Sequence, residues 1–115
     1  MKLLTITTSH VPTGPVIEVA GDLDYTNAQQ LRRAAQACAL PSAGFLTVDL
    51  GELAFCDSSG ITALIAVRNH VVSAGGRMSL VAVPANTRRL LQMAGLDQVF
   101  DIHGGVGPVR VAGDA

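Results

Sequence analysis

Residues 45–83 read FLTVDLGELAFCDSSGITALIAVRNHVVSAGGRMSLVAV, with an apolar segment at each end and a helical pattern between them. Residues 45–50 (FLTVDL) and 78–83 (MSLVAV) have the apolar and β-branched composition of largely buried strands. A helix is predicted over about residues 58–74, ending at the Gly-Gly pair 75–76, because glycine commonly terminates helices. A strand, a helix and a second strand in this order predict two parallel strands joined by a right-handed crossover.

Two further strands and a helix are predicted before this unit. Residues 3–9 (LLTITTS) and residues 15–20 (PVIEVA) both have strand composition, and the second segment alternates in polarity. The five residues between them are too few for a crossover, which favours an antiparallel pair. A helix is then predicted to about Ala39, with Thr26 and Gln29 at the spacing of a capping box.

A third helix and a short strand are predicted towards the end of the chain. The helix covers about residues 85–94 and is stopped by Gly95, and residues 99–102 form the last strand. The full order is β-β-α-β-α-β-α with a final β. It predicts an α/β domain with a mixed, mostly parallel sheet of four to five strands and three to four helices, the first strand antiparallel to the second.

Length and composition are those of one folded domain. The chain has 115 residues, of which 49% are apolar and 15% charged, enough to bury a core without disulfides or metals. The domain is expected to span residues 1–115, with its core over about residues 3–102 and a tail over residues 103–115. A short helix after Pro108 is one alternative for that tail.

Charge, cysteines and histidines exclude several classes of protein. Eight basic and nine acidic residues leave a formal charge of −1, so no broad cationic surface for nucleic acid or anionic lipid is expected. No apolar run reaches the roughly 18–20 residues of a membrane helix, which predicts a soluble cytoplasmic domain. Cys38 and Cys56 are interpreted as free buried thiols, with a regulatory disulfide as the alternative. His10, His70 and His103 are scattered, so no metal site is predicted.

Two strand-to-helix connections carry the polar residues of greatest interest. Residues 21–26 (GDLDYT) follow the second strand, and residues 55–60 (FCDSSG) enter the second helix. α/β folds usually place their sites at such connections, and these two share one sheet edge if their strands are neighbours. Asp57, Ser58 and Ser59 all suit a helix N-cap, and capping alone is one interpretation of the triplet. The other interpretation is a phosphoacceptor serine, because a helix N-terminus tolerates a phosphate dianion.

Enzymatic interpretations fit these residues poorly. A nucleophile elbow needs glycine two residues before and two residues after the serine, and neither Ser58 nor Ser59 has both. No phosphate-binding P-loop motif occurs. A phospho-aspartate receiver has a lysine on a late strand, whereas the only lysine is Lys2. Asp22 and Asp24 could be paired carboxylates, with solvated turn residues as the plain alternative. No catalytic residue is predicted.

The two loops resemble those of the STAS domain, and more narrowly those of the bacterial anti-sigma-factor antagonists. The resemblance rests on Gly-Asp-Leu-Asp at residues 21–24 before a helix and on Asp-Ser-Ser-Gly at residues 57–60, about 35 residues later. It extends from about residue 3 to residue 102 and includes Asn-Thr-Arg-Arg-Leu-Leu at residues 86–91 and Ala-Gly-Leu at residues 94–96.

This resemblance implies a protein-interaction switch rather than an enzyme. In such antagonists the first hydroxyl after the Asp is phosphorylated by an anti-sigma factor that is a serine kinase. This maps to Ser58, with Ser59 as the less favoured acceptor. The unphosphorylated form captures the kinase and frees the sigma factor, and a metal-dependent serine phosphatase resets it. The residues that the resemblance assigns to partner binding are Asp22, Asp24, Asp57, Ser58, Ser59, Gly60 and Ile61.

The resemblance also bounds the cofactors and leaves other functions open. ATP belongs to the kinase, so no cofactor is expected, and the chain is expected to be a monomer or a weak dimer. One alternative is an STAS module that binds within a transport or signalling assembly without being phosphorylated. Another is a sensor of a small ligand or nucleotide.

Overall fold

The computed structural model describes residues 2–38 and 44–103. Across these residues the elements follow the predicted order: β1 (Thr5–Val11), β2 (Gly14–Leu23), α1 (Ala28–Ala37), β3 (Phe45–Cys56), α2 (Ser58–Ser73), β4 (Arg77–Val81), α3 (Ala85–Met93) and β5 (Asp101–His103). A single 3-10 turn, Leu96–Gln98, precedes β5. The predicted helix end at about Ala39 and the predicted helix after Pro108 lie outside the described residues.

The strands form one sheet in the order β1-β2-β3-β4-β5. β1 is antiparallel to β2 and the other neighbouring pairs are parallel, which confirms the predicted mixed sheet. The first hairpin is tighter than predicted. Val11 pairs with Gly14, so the turn contains only Pro12 and Thr13, and most of the predicted five-residue connection belongs to the strands.

β3 continues six residues past its predicted end at Leu50. Its register with β2 slips between Glu18 and Ala20 and again between Gly21 and Asp22. Each slip is a β-bulge that adds one residue to β3 and interrupts the alternation of inward and outward side chains. The sequence pattern of a strand therefore ends before the strand itself does.

Other predicted strand boundaries are wrong by two or three residues. β1 begins at Thr5 rather than at residue 3, and β2 ends at Leu23 rather than at residue 20. β4 ends at Val81 because Ala82 has a φ of 54°, in the left-handed region, which turns the chain out of the sheet. β5 begins later than predicted because the N–H groups of Val99 and Phe100 donate to the carbonyl oxygen of Leu96 and close the 3-10 turn.

The predicted capping box of α1 is also wrong. The N-cap is Asn27, and Thr26 lies in the preceding turn, where its hydroxyl donates to Oδ1 of Asp24 over 2.5 Å. The Asn27 side chain is itself engaged, since Oδ1 accepts from the N–H of Asp24 and Nδ2 donates to the carbonyl of Asp22. These bonds fix the loop between β2 and α1 at the expense of a side-chain cap.

Helices α1 and α2 pack against one face of the sheet and cover the core. In one row across the sheet, Ile17 of β2 lies opposite Val48 of β3, which lies opposite Leu80 of β4. These three side chains are fully buried, as are Leu31 of α1 and Leu64 of α2. Each such side chain contributes about 1.5–3 kcal/mol when it is buried. The core therefore holds both helix N-termini over the same edge of the sheet.

The opposite face of the sheet is polar. In the adjacent row Thr7, Glu18 and Asp49 lie side by side, and they are exposed or half-buried. No helix in residues 2–38 and 44–103 is long and apolar enough to cross a membrane.

Candidate functional site

The two loops singled out in the sequence meet at one edge of the sheet. Leu23 and Cys56, the last residues of β2 and β3, lie opposite each other in the parallel register. One residue further on, the N–H of Asp57 donates to the carbonyl oxygen of Leu23 over 3.2 Å. The loop from Asp22 to Asp24 and the start of α2 are therefore adjacent, as expected for neighbouring strands.

Asp57 is the N-cap of α2. Its backbone is extended (φ −103°, ψ −172°), and its Oδ1 accepts from the N–H of Gly60 over 3.1 Å. Its carbonyl oxygen accepts the first helical bond, from the N–H of Ile61. Of the three residues that could have capped the helix, Asp57 takes the role, so the hydroxyl of Ser58 is not needed for it.

Ser58 is the first residue of α2 and is exposed, whereas Ser59 is half-buried. Within the described part of the chain, the Ser58 hydroxyl makes no side-chain hydrogen bond, and only its backbone carbonyl is used, by the hydroxyl of Thr62. The position has an accessible nucleophilic oxygen at the N-terminus of a helix. The free N–H groups and the positive end of the helix dipole stabilise a negatively charged group placed there.

Gly60 and Ile61 support this site from inside the fold. Gly60 is buried, and a Cβ atom built on it would lie 2.6 Å from Sγ of Cys56 and 3.0 Å from Cδ2 of Leu23. Ile61 is only 9% exposed and belongs to the core. Glycine is required here because the first turn of α2 lies directly on the ends of β2 and β3.

The loop between β2 and α1 contributes two carboxylates that bond to backbone N–H groups. Oδ2 of Asp22 accepts from the N–H of Lys2 over 3.1 Å, and Oδ1 of Asp24 accepts from the N–H of Thr26 over 2.9 Å. Over residues 2–38 and 44–103, no cationic side chain comes within 4.0 Å of the carboxylates of Asp22, Asp24 or Asp57. Within the described residues these three carboxylates are therefore bonded to backbone N–H groups and form no ion pair.

The sequence of this chain matches a known protein family. The family described as "Mlab, STAS domain" matches residues 6–106, most of the chain. The chain belongs to the STAS domain family. It is 27% identical over 86 residues to a STAS-domain containing protein of Pseudomonas aeruginosa (75% of this chain, 84% of that protein). It is 26% identical over 89 residues to the anti-sigma F factor antagonist of Paenibacillus polymyxa (76% of each).

A solved structure supports the same assignment. The crystal structure of an anti-sigma factor antagonist from Mycobacterium paratuberculosis superimposes with a TM-score of 0.75 at 26% identity. The match covers 88% of this STAS domain and 86% of the other chain. The fold and the family expected from the two loop motifs are thus confirmed.

The two cysteines of this STAS domain are free thiols, and Cys38 is half-buried rather than buried as predicted. Burial raises the pKa of Cys38. For Cys56, burial and, secondarily, the negative charge of Asp57 raise the thiol pKa to about 12. The Cys56 thiol also donates to the carbonyl oxygen of Asp57 over 3.5 Å. Cys56 is therefore protonated at neutral pH and poorly suited to react with oxidants.

A labelling experiment tests this state of Cys56. In a Cys38→Ser variant at pH 8, iodoacetamide should leave Cys56 unmodified in the folded domain and modify it fully in urea, as read by intact mass. Because the folded pKa is raised, the contribution of Cys56 to stability should be complete below about pH 8.5 and decline as the pH rises towards 12. Rapid labelling of the native protein would contradict the assignment.

Among residues 2–38 and 44–103, no group of three or more His, Cys, Asp or Glu side chains converges as metal ligands would. A cavity of about 420 Å³ opens on the polar face of the sheet, and Glu18, Asp49 and Glu52 lie in its wall. Its three carboxylates would repel a phosphate group.

Two side chains at this edge were not predicted as site residues. Tyr25 is 80% exposed, and Phe55 is 49% exposed. A tyrosine inside a polar turn could have been noticed in the sequence, but the exposure of Phe55 depends on a bulge in β3.

Proposed function

We propose that this protein is an anti-sigma-factor antagonist that is switched by phosphorylation of Ser58. In the unphosphorylated form it binds and sequesters an anti-sigma factor that is also a serine kinase, which releases the sigma factor. Phosphorylation at Ser58 ends the binding, and a metal-dependent serine phosphatase restores it. The observation that carries the proposal is that Asp57 caps α2, which leaves the exposed Ser58 hydroxyl without a structural role.

The residues of this chain act as substrate and as docking surface in the proposed reaction. Oγ of Ser58 attacks the γ-phosphorus of the kinase-bound ATP, the bond to the bridging oxygen of ADP breaks, and the hydroxyl proton passes to a base of the kinase. Asp57 keeps the first turn of α2 in place through its bond to Gly60. ATP and the base belong to the kinase, so the proposed antagonist is not an enzyme and holds no cofactor.

The proposed switch operates through charge. A phosphoserine adds about two negative charges at neutral pH. At about 5 Å and an effective dielectric of about 20, each like-charge pair costs roughly 3 kcal/mol, an upper value for an exposed site. Even half of that cost weakens a complex about tenfold. The helix N-terminus meanwhile stabilises the phosphate within the antagonist, so the fold persists while the surface changes.

The proposed cellular location, domain extent and kind of partner follow from the same assignment. We place the protein in the cytoplasm as one domain over residues 1–115, acting through protein contacts and not through nucleic acid or membrane. The family match over residues 6–106 supports a single domain. Partner binding stays a prediction for the seven residues assigned to it, which are Asp22, Asp24, Asp57, Ser58, Ser59, Gly60 and Ile61. Gly60 and Ile61 are buried, so their packing supports a role in positioning Ser58.

Mass analysis of the protein from its own cells tests the proposal. Intact mass and phosphopeptides should show one phosphate on Ser58 that disappears after phosphatase treatment. A Ser58→Ala variant expressed in the same cells is the matched control and should carry none. Protein that is unmodified under both growth and stress conditions would contradict the switch.

The alternative from the sequence is an STAS module that binds within a transport or signalling assembly without phosphorylation. It predicts unmodified Ser58 in the same experiment. A nucleotide sensor gains no support, because the cavity described above is lined by carboxylates.

A further inference from the structure

Aromatic side chains are scarce in this protein, and two of them are exposed at the edge that carries Ser58. The chain has three phenylalanines, one tyrosine and no tryptophan. Phe100 is buried, whereas Tyr25 is 80% exposed and Phe55 is 49% exposed. Tyr25 lies two residues beyond the end of β2, and Phe55 lies three residues before Ser58. Exposure of half of the aromatic residues at one edge contrasts with the general preference of these side chains for burial.

A β-bulge is what places Phe55 on the outside. Gly21 lies opposite Leu53 while the next residue, Asp22, lies opposite Phe55, so Ala54 is an extra residue in β3. With regular alternation Phe55 would point to the same side as the buried Leu53. Because of the bulge, Ala54 and Phe55 are both exposed, and the inward position passes to Cys56. The bulge thus interrupts the regular strand at the position where it exposes the ring of Phe55.

The loop that carries Tyr25 is held in one conformation by its neighbours. Asp24 accepts from both the N–H and the hydroxyl of Thr26, and Asn27 bonds to the backbone of Asp22 and of Asp24. A side chain presented by an ordered loop loses little additional freedom when it is bound by another molecule. Tyr25 is therefore presented for contact at low entropic cost.

We propose that Tyr25 and Phe55 are the anchoring side chains of the surface that binds the partner of the Ser58 site. The inference rests on the proposed function, because it assigns the partner's contacts at that same site. The occupant that fits is a protein face with apolar recesses for the two rings and arginine or lysine side chains beside them. Charge complementarity supports this partner, since the carboxylates of Asp22, Asp24 and Asp57 have no cation within 4.0 Å in the described ranges.

The rings and the carboxylates have separate roles in this surface. Tyrosine and other large aromatic side chains commonly supply a large share of the binding energy at the centre of an interface. Surrounding charges mainly increase the rate of association and exclude wrong partners. Truncation of either ring should therefore increase dissociation of the complex, whereas neutralisation of Asp22 or Asp24 should mainly lower the association rate and its dependence on salt.

Titration of purified variants with the purified partner tests the anchors. The partner is the serine kinase that phosphorylates Ser58, or the protein recovered by the cross-linking described next if no such kinase binds. Tyr25→Ala and Phe55→Ala should each weaken binding about tenfold or more. Met93→Ala and Leu90→Ala are matched controls, because these apolar side chains are 78% and 40% exposed on α3, which is not part of the two loops at the Ser58 site. The controls should bind within twofold of the unmodified protein.

Cross-linking in the source cells separates failure of this inference from failure of the proposed function. A photoreactive benzoylphenylalanine replaces Tyr25, Phe55 or, as the control, Met93. Adducts to a serine kinase from the first two positions alone, with the expected losses in the titration, support both proposals. Adducts to a different protein, with the same losses, support the anchors and overturn the kinase assignment.

Three outcomes would overturn the inference. The first is binding of Tyr25→Ala and Phe55→Ala within twofold of the unmodified protein. The second is equal cross-linking from Met93. The third is cross-linking of Tyr25 or Phe55 only to a second copy of this chain, or to nothing. Thermal melts of each variant show whether a loss of binding reflects unfolding. Tyr25→Ala should melt like the unmodified protein, and Phe55→Ala, whose ring is half-buried, should stay folded with a small decrease in melting temperature.

Discussion

Gly60→Ala should lower the free energy of unfolding by about 2 kcal/mol, as measured by urea denaturation. The new methyl group would lie 2.6 Å from Sγ of Cys56 and 3.0 Å from Cδ2 of Leu23, closer than carbon atoms normally approach these groups. Alanine has a more favourable helix propensity than glycine by up to about 1 kcal/mol. The steric clash must therefore cost more than this for the variant to be less stable. The net decrease in the free energy of unfolding therefore measures how tightly α2 packs on the ends of β2 and β3.

The controls for Gly60→Ala come from the same turn and from the group it would strike. Ser58→Ala changes an exposed side chain two residues away in the same turn and should alter the free energy of unfolding by less than about 0.5 kcal/mol. Cys56→Ala removes the sulfur atom, so the double variant should be more stable than the sum of the two single losses predicts. A Gly60→Ala variant as stable as the original protein would show that the turn is loosely seated.

Ser58→Asp should bind the serine kinase of the proposed switch at least about tenfold more weakly than Ser58→Ala, as measured by titration calorimetry. The carboxylate mimics part of the phosphate charge, and the nearby carboxylates of Asp22, Asp24 and Asp57 already leave this edge negative. Ser58→Ala should bind as tightly as the unphosphorylated protein, because the hydroxyl is not used by the fold. Equal affinities of the two variants would refute an electrostatic switch.

Two measurements distinguish this loss of binding from damage to the fold. An acidic residue in the first turn of a helix is favourable, so Ser58→Asp should unfold at the same urea concentration as the original protein or a slightly higher one. Thr62→Asp adds the same charge one turn further along α2, at an exposed residue. If Thr62→Asp weakened binding as strongly as Ser58→Asp, the effect would be one of net charge rather than of position.

The architecture was accessible from the sequence because the apolar pattern changes period at each element. Residues 45–83 indicated two parallel strands around a helix, and the short connection after the first strand indicated the antiparallel hairpin; both features are confirmed. The end of β3 was missed because the prediction relied on the apolar and β-branched composition of residues 45–50, whereas the strand continues to Cys56 through two bulges. The end of β4 was missed because the residue types around Ala82 do not indicate its left-handed backbone.

The motifs located the site in the sequence, but the role of each residue within it could be assigned only from the structure. Asp57, Ser58 and Ser59 were equivalent capping candidates by residue type, and only the extended backbone of Asp57 decides which one caps. Thr26 has the spacing of a capping box, yet the Asp24 carboxylate, two residues away, takes its hydroxyl. The exposure of Phe55 was not predicted, because the bulge between Leu53 and Phe55 is not visible in the sequence.

The unequal lengths of the strands have a mechanical consequence. β4 pairs with β3 only as far as Asp49, so the rest of β3, to Cys56, pairs with β2 alone among the described residues. The end of β2 is held on both sides, because the N–H of Asp22 donates to the carbonyl oxygen of Lys2 over 3.1 Å. Opening the end of β3 breaks one ladder of hydrogen bonds, whereas opening its first half breaks two, so amide protons at the end that leads to Ser58 exchange with solvent through smaller, cheaper fluctuations. Binding of a partner at the Ser58 site should therefore slow exchange at this end of β3 and leave the centre of the sheet unaffected.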